Sequence, residues 1–266
     1  MCRLLGYAAP VPRTVEAVLG GSQSRVFQDM AKLHRDGWGS SWINESSAVQ
    51  LETVKQNTSG LGDRQLMDAL SSQPSSAKII HLRMATGGMS CAPENTHPFI
   101  SGNISFAHNG SFPDLRAVDD LLSPAIRDGL IGDTDSERYF GLIRTNHERG
   151  LPLREATAET ARVLRAMFPA SSFNALILSG TQLIAVHAWS GTPSPLGEFD
   201  RRGINFRNLP ADHLAAYYLM RVKRHEDGSV IFASSGLDIE GWDALPHDSV
   251  TSVDLGTLEY ETVALQ

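Results

Sequence analysis

The chain has 266 residues, of which 41 % are hydrophobic, 20 % charged and 7 % aromatic, proportions of a globular protein that exclude disorder, collagen and a coiled coil. Its formal net charge is −7, and residues 226–266 carry nine acids and no Lys or Arg. Such a chain repels phosphate backbones and shows no basic patch interleaved with aromatics, so nucleic acid is not expected as a partner.

Cys2 to Ala9 is apolar and β-compatible and reads as a strand that Pro10 and Pro12 end. Thr14 caps a short helix that stops at Gly20-Gly21, and a loop follows. Trp38 to Ile43 and Ala48 to Val54 are expected as strands around the turn Asn44-Glu45-Ser46-Ser47. Asp63 caps a helix with Leu66, Met67 and Leu70 on one face. Ala77 to Met84 has the pattern of a buried strand and Ile104 to His108 that of a shorter one, while Pro113 sits where a first helical turn accepts proline. Thr134-Asp135-Ser136-Glu137 fits a capping box opening a helix that ends near Glu148. Pro152 starts another, with Leu153, Thr157, Ala161, Leu164 and Phe168 at helical spacing.

From Phe173 strands return: Asn174 to Leu178, a Gly180-Thr181 turn, then Leu183 to Trp189. Residues 190–212, rich in proline and glycine, read as an excursion from the sheet. Leu214 to Arg224 and Ser229 to Ser234 flank the turn Glu226-Asp227-Gly228, and Val250 to Val253 with Leu258 to Val263 form a last hairpin. Strands at both ends of a helical middle give an α+β chain with helices covering packed sheets. With no internal repeat or low-complexity linker, one domain over residues 2–266 is expected. No aliphatic run approaches the roughly 20 residues of a membrane helix, so no membrane partner is expected. The opening is too short for a secretory signal and two sparse cysteines suit a reducing compartment, so the expected location is cytoplasmic.

Cys2 follows the initiator methionine and is small enough for an aminopeptidase to expose it as the first residue. An N-terminal cysteine carries its own base: the α-amine titrates at about 7.7–8.0, while an unassisted thiol near 8.5 is only roughly 3 % thiolate at pH 7. The amine, through a bridging water, takes the thiol proton as sulfur attacks a carbonyl. Downstream stand Arg83-Met84-Ala85-Thr86, Asn95-Thr96-His97-Pro98-Phe99, His108-Asn109-Gly110 and Thr134-Asp135-Ser136-Glu137.

In this order the motifs resemble those of the class II, N-terminal-nucleophile glutamine amidotransferases. The small stand-alone members that begin Met-Cys-Arg and carry a segment like Asp36-Gly37-Trp38-Gly39 are the most similar. The resemblance runs from Cys2 to about Ala233 and implies a four-layer αββα fold with two stacked antiparallel sheets. It implies Cys2 as nucleophile, Asn109 and Gly110 as the oxyanion hole, Arg83 and Asp135 as grips on a substrate's α-carboxylate and α-amine, and Thr86 near both nucleophile and substrate. A guanidinium suits the first grip because it presents two parallel N–H bonds to a planar carboxylate. Trp38 would wall the pocket beside its glycines.

Local readings stand beside these roles. Asn-Gly is the commonest hairpin turn, Thr86 suits a cap before Gly87-Gly88, and Asp135 suits a helix N-terminus. His34, Arg35 and Asp36 are not expected to act directly, and His97 is expected as a hydrogen-bonded turn residue. Cys91 lies too close to His108 and Asn109 for a papain-like arrangement and is expected as a small apolar filler. No HExxH or Cys/His cluster suggests a metal, and no cofactor is expected.

The activity implied is hydrolysis of a γ-glutamyl amide through a Cys2 thioester, with a small γ-glutamyl molecule as substrate. One alternative is the ergothioneine-pathway reaction of similar members, which removes glutamate from γ-glutamyl-hercynylcysteine sulfoxide. Others are a glutaminase delivering ammonia to a separate synthase subunit, and a non-catalytic glutamine-sensing module. The segment Glu94-Asn95-Thr96-His97-Pro98-Phe99 departs from the ergothioneine members, and the loop 190–212 that would meet the leaving group matches nothing.

Overall fold

The computed structural model describes residues 2–46, 51–87, 89–189, 191–210 and 212–265. In chain order the elements are β1 (Arg3–Arg13), α1 (Val15–Leu19), α2 (Gly21–Asp29), β2 (Trp38–Ile43), β3 (Leu51–Gln56), α3 (Arg64–Ser71), β4 (Ser75–Leu82), β5 (Phe99–Ser101) and β6 (Ile104–Gly110). Four helices follow, α4 (Leu115–Asp119), α5 (Pro124–Asp128), α6 (Asp135–Glu148) and α7 (Leu153–Met167), then β7 (Phe173–Ser179) and β8 (Gln182–His187). The last third holds α8 (Leu196–Arg201), β9 (Met220–Arg224), β10 (Val230–Ser234), β11 (Asp243–Ala244), β12 (Ser249–Asp254) and β13 (Tyr260–Ala264).

The strands make two antiparallel sheets, ordered β11-β9-β10-β1-β4-β2-β3 and β13-β12-β8-β7-β6-β5. Three apolar cores account for the layering. Leu4, Ala8 and Ile79 from the first sheet meet Ala107, Leu176 and Leu183 from the second. Alternate residues of the same strands, Leu5, Tyr7, Ile80 and Leu82, face outward and pack with α1–α3 through Val15, Phe27 and Leu66. On the far side Phe106, Phe173, Ile177 and Val186 pack under Tyr139, Ile143 and Leu164 of α6 and α7. Strands buried on both faces become near-continuous apolar runs, as β7 is, and the result is the αββα sandwich expected.

Capping sets the helix starts. Thr14 accepts from Ala17 N–H, Asp63 from Gln65 N–H and Thr134 from Glu137 N–H, each filling an orphan donor of the first turn. The capping box is only half reciprocal, because the Glu137 carboxylate accepts from the N–H groups of Ile131 and Gly132 and so pins the loop before α6.

Several expectations are corrected. β1 runs through Pro10 and Pro12 to Arg13, because its pairing with β4 shifts register between Ala8 and Arg13 and the exposed stretch between has no ladder to break. The loop expected after Gly21 holds α2 and a short 3-10 turn at Met30–Lys32, and Asp114 rather than Pro113 opens α4. The strand expected from Leu214 begins only at Met220, and β5 and β11 were not foreseen. Ser47 and the Ala48-Val49-Gln50 start of the third expected strand lie outside the described residues, as does Gly88. No helix among the described residues is long and apolar enough to cross a membrane.

Candidate active site

The two sheets end together at Cys2. In the first sheet β1 and β4 pair with Leu4 opposite His81 and Arg3 opposite Leu82. Side chains two apart on a strand share a face, so Cys2 and His81 fall on the inner side and Arg83 follows His81 off the strand end. From the second sheet β6 delivers His108, Asn109 and Gly110, paired with Ala175, Asn174 and Phe173 of β7. A Cβ on Gly110 would run into the Ser172 carbonyl, so only glycine fits there. At Gly39 a Cβ would strike the His97 carbonyl, and its absence lets the segment around His97 cross over β2.

Hydrogen bonds stitch the sheet ends together. Cys2 N–H donates to Asn109 Oδ1 at 2.7 Å, and His81 Nε2 meets the His108 carbonyl at 3.3 Å. Because the Asn109 oxygen is committed to Cys2, its amide nitrogen is the free end, and Nδ2 is buried with no partner among the described residues. The Cys2 Sγ lies 3.9 Å from the Met84 carbonyl.

Arg83 is 3 % exposed, and its guanidinium donates to the main-chain oxygens of Asp36 at 3.3 Å and Ser90 at 2.9 Å. Asp135, 2 % exposed at the first position of α6, accepts from Phe112 N–H at 3.0 Å and Ser136 N–H at 2.9 Å. The positive end of that helix favours its charge. Among the described residues neither group has an ion-pair partner. Cys2, Arg83, Thr86, His97, His108, Gly110 and Asp135 line one cavity of about 20 Å³, room for a single water. A far larger cavity of about 780 Å³ lies between α2 and residues 204–210, lined mostly by apolar groups and by none of the motif residues.

Burial pushes the Cys2 thiol up, but the amino-terminal charge and His81 outweigh it and hold the thiol well below its ordinary value. His97 and His108 are pushed down by burial, which keeps both neutral at pH 7. His108 is fixed by Ser136 Oγ at Nδ1 and the Ser172 carbonyl at Nε2, whereas both ring nitrogens of His97 lack partners among the described residues and its ring stacks on His81 at 4.2 Å.

Thus Cys2, Asn109, Gly110, Arg83, Thr86 and Asp135 gather at one place, and Trp38 does not. Opposite Leu82 in the strand register, Trp38 faces the helical layer, is fully buried in that core and donates its Nε1–H to Asp63 at 2.9 Å. His97 belongs to the cavity rather than to a hydrogen-bonded turn, and Cys91 is exposed rather than a filler. His34 is buried on the helical side, bonded to the Met30 carbonyl and the Tyr217 hydroxyl. His81 is the residue that sequence reasoning missed, since only the β1–β4 register puts it beside Cys2. Among the described residues no group of His, Cys, Asp and Glu side chains could hold a metal ion.

Comparison with known proteins gives a consistent picture. The family model for class-II glutamine amidotransferases matches residues 1–263. The chain is 26 % identical over 220 residues to a glutamine–fructose-6-phosphate aminotransferase (isomerizing) of Zymomonas mobilis, covering 81 % of this chain and 34 % of that protein. It therefore spans about a third of the length of the curated relative it matches. Among solved structures it resembles a glutamine aminotransferase class-II domain protein from Silicibacter pomeroyi, with TM-score 0.63, 16 % identity and all of both chains covered. It also resembles the glutamine phosphoribosylpyrophosphate amidotransferase of B. subtilis, with TM-score 0.61, 16 % identity, and 100 % of this chain and 49 % of that one covered. At these identities the structural likenesses establish the fold.

Proposed function

The chain belongs to the class II glutamine amidotransferases, and on that premise we propose that it hydrolyses a γ-glutamyl amide, glutamine or a γ-glutamyl conjugate, through a thioester on Cys2. The observation that carries the reading is that a buried cation and a buried anion, neither with an ion-pair partner among the described residues, line one cavity. Arg83 and Asp135 are both buried, both lack an ion-pair partner among the described residues, and both line the space that Cys2 faces. A cation and an anion without ion-pair partners are complementary to the carboxylate and ammonium of an α-amino acid, and binding both ends leaves the side-chain amide for the sulfur.

With Met1 removed, the Cys2 nitrogen becomes an amine held by Asn109 Oδ1, placed to take the thiol proton through a water. Sulfur bonds to the amide carbon, and the carbonyl oxygen takes the electron pair as an oxyanion. Asn109 Nδ2, with no other partner among the described residues, and the Gly110 N–H donate to that oxygen. The C–N bond then breaks, the leaving nitrogen departs with the proton held by the amine, and the acyl group remains as a thioester. Water attacks that carbonyl and loses a proton to the amine, and glutamate leaves as the thiol reforms.

The test is glutamate release from glutamine and a panel of γ-glutamyl amides by wild type and Cys2→Ala. Release at an enzymatic rate by the wild type alone supports the reading. Tight binding of the same compounds without turnover would make the protein a sensing module, and an unchanged rate in Cys2→Ala would remove the thiol from the mechanism.

A further inference from the structure

Arg202 takes no part in the chemistry above, yet it ties the arm of residues 191–210 to the wall of the pocket. The arm leaves the second sheet after β8 and forms α8, whose Phe199 is fully buried in a cluster with Leu33, Met84 and Tyr217. Glu198, 5 % exposed, accepts from Arg202 Nε at 2.6 Å and so aims the guanidinium. Arg202 Nη2 then reaches Asp36 Oδ2 at 2.6 Å and the Ala85 carbonyl at 3.1 Å. The same Asp36 oxygen accepts from Ala85 N–H at 2.8 Å.

Both polar groups of the Ala85 backbone are therefore held by one ion pair. On its other side the Asp36 carbonyl accepts from Arg83 Nη1 at 3.3 Å, and Asp36 N–H donates to the Arg83 carbonyl at 3.0 Å. The side chains of Arg202 and Asp36 are only 13 % and 16 % exposed, so water screens the pair weakly.

We propose that Arg202 is a positioning residue: through Asp36 and Ala85 it sets the orientation in which Arg83 meets the substrate carboxylate, so an arm outside the sheets governs recognition of the γ-glutamyl group. The proposal rests on the reading of Arg83 as the carboxylate grip of a Cys2-dependent amidase. Its physical basis is the narrow tolerance of a bidentate contact, in which two parallel N–H bonds must meet one carboxylate plane. Lysine at position 202 keeps the charge but cannot hold Glu198, Asp36 and Ala85 together with one planar fork.

Two electrophiles separate positioning from structure. Both alkylate the Cys2 sulfur: 6-diazo-5-oxo-norleucine, which carries an α-carboxylate and α-amine, with loss of dinitrogen, and iodoacetamide, which carries neither, with loss of iodide. Labelling rates at Cys2 and steady-state constants for the best γ-glutamyl amide are measured in a Cys91→Ser background, with and without Arg202→Ala, Arg202→Lys and Asp36→Asn. Arg202→Ala is expected to raise KM about tenfold and slow the diazo label equally, with kcat within about threefold and iodoacetamide labelling within about twofold of the parent. Arg202→Lys recovers part of the loss, and Asp36→Asn shifts KM in the same direction.

An Arg202→Ala protein with unchanged KM and diazo labelling overturns the proposal, as does equal slowing of both labels, which marks a general loss of site structure. A parent protein that neither turns over any γ-glutamyl amide nor takes the diazo label overturns the Cys2 reading and this proposal with it.

Discussion

Midway along their strands the two sheets meet as an apolar core, with Leu4, Ile79, Leu176, Leu183 and Phe232 in contact and near zero exposure. A few residues farther on, the same strands meet as Cys2, His81, Asn109 and Gly110, where Asn109 Nδ2, His81 Nδ1 and both nitrogens of His97 are buried without partners among the described residues. The middle gains roughly 25 cal/mol for each Å² of apolar surface removed from water. The end forgoes about 1–3 kcal/mol for each buried polar group left unmet. The contrast shows a division of labour: apolar packing in the middle holds the polar groups of the end in place until a substrate meets them. Substitutions at the end are therefore expected to change rate at nearly constant stability, and substitutions in the middle to do the reverse.

The largest effect is expected from Cys2→Ala, which removes the nucleophile and lowers glutamate release by about 10³-fold or more while the melting temperature stays within a few degrees. Next comes Asn109→Ala, expected to lower kcat by about 10²–10³-fold with little change in KM, because a donor to a developing oxyanion acts mainly in the transition state. Leu176→Ala should invert the pattern. Urea unfolding is expected to show a loss of about 3 kcal/mol from the cavity left between the sheets, with activity per folded molecule unchanged. A loss of kcat without loss of stability in Leu176→Ala would erase the distinction between the two regions.

Smaller still is His97→Phe. This ring already lies edge-on to Phe99 and stacks on His81, so an apolar ring of similar shape removes two unmet nitrogens and is expected to raise the melting temperature by about 2 °C. Activity should fall, since the same ring lines the cavity.

The last effect concerns pH. Burial pushes His187 down to about 4, below the unfolded value of about 6.5. Between these values the unfolded chain binds the proton and the folded chain does not, so stability falls as pH drops from 6.5 towards 4. Replacement by Gln should flatten that slope by less than one proton in a pH series of unfolding curves.

Much of the frame was legible in the sequence because it is local. The runs that became β2, β6 and β7, the caps Thr14, Asp63 and Thr134, and the long helices α6 and α7 are each specified within a few residues. The motif order also identified the family, and of the seven expected site residues five line one cavity while Asn109 joins them through its bond to Cys2. What escaped depends on register and on distant pairing. The resemblance of Asp36-Gly37-Trp38-Gly39 to the family's glycine-rich turn puts Trp38 at the pocket wall, but strand alternation turns it to the opposite face. His81 reaches Cys2 only through the pairing of Leu4 with His81, and Arg202 reaches Asp36 from 166 residues away. Helix α2, opening Gly21-Ser22-Gln23-Ser24, has little intrinsic propensity and forms because Phe27 packs into the outer core.

The most direct test of the central claim is intact-protein mass spectrometry before and after incubation with 6-diazo-5-oxo-norleucine, with the adduct mapped by peptide analysis. The account predicts a chain that has lost Met1 and carries a single adduct on Cys2. A chain that retains Met1 and takes no adduct, or takes it only on Cys91, would contradict it.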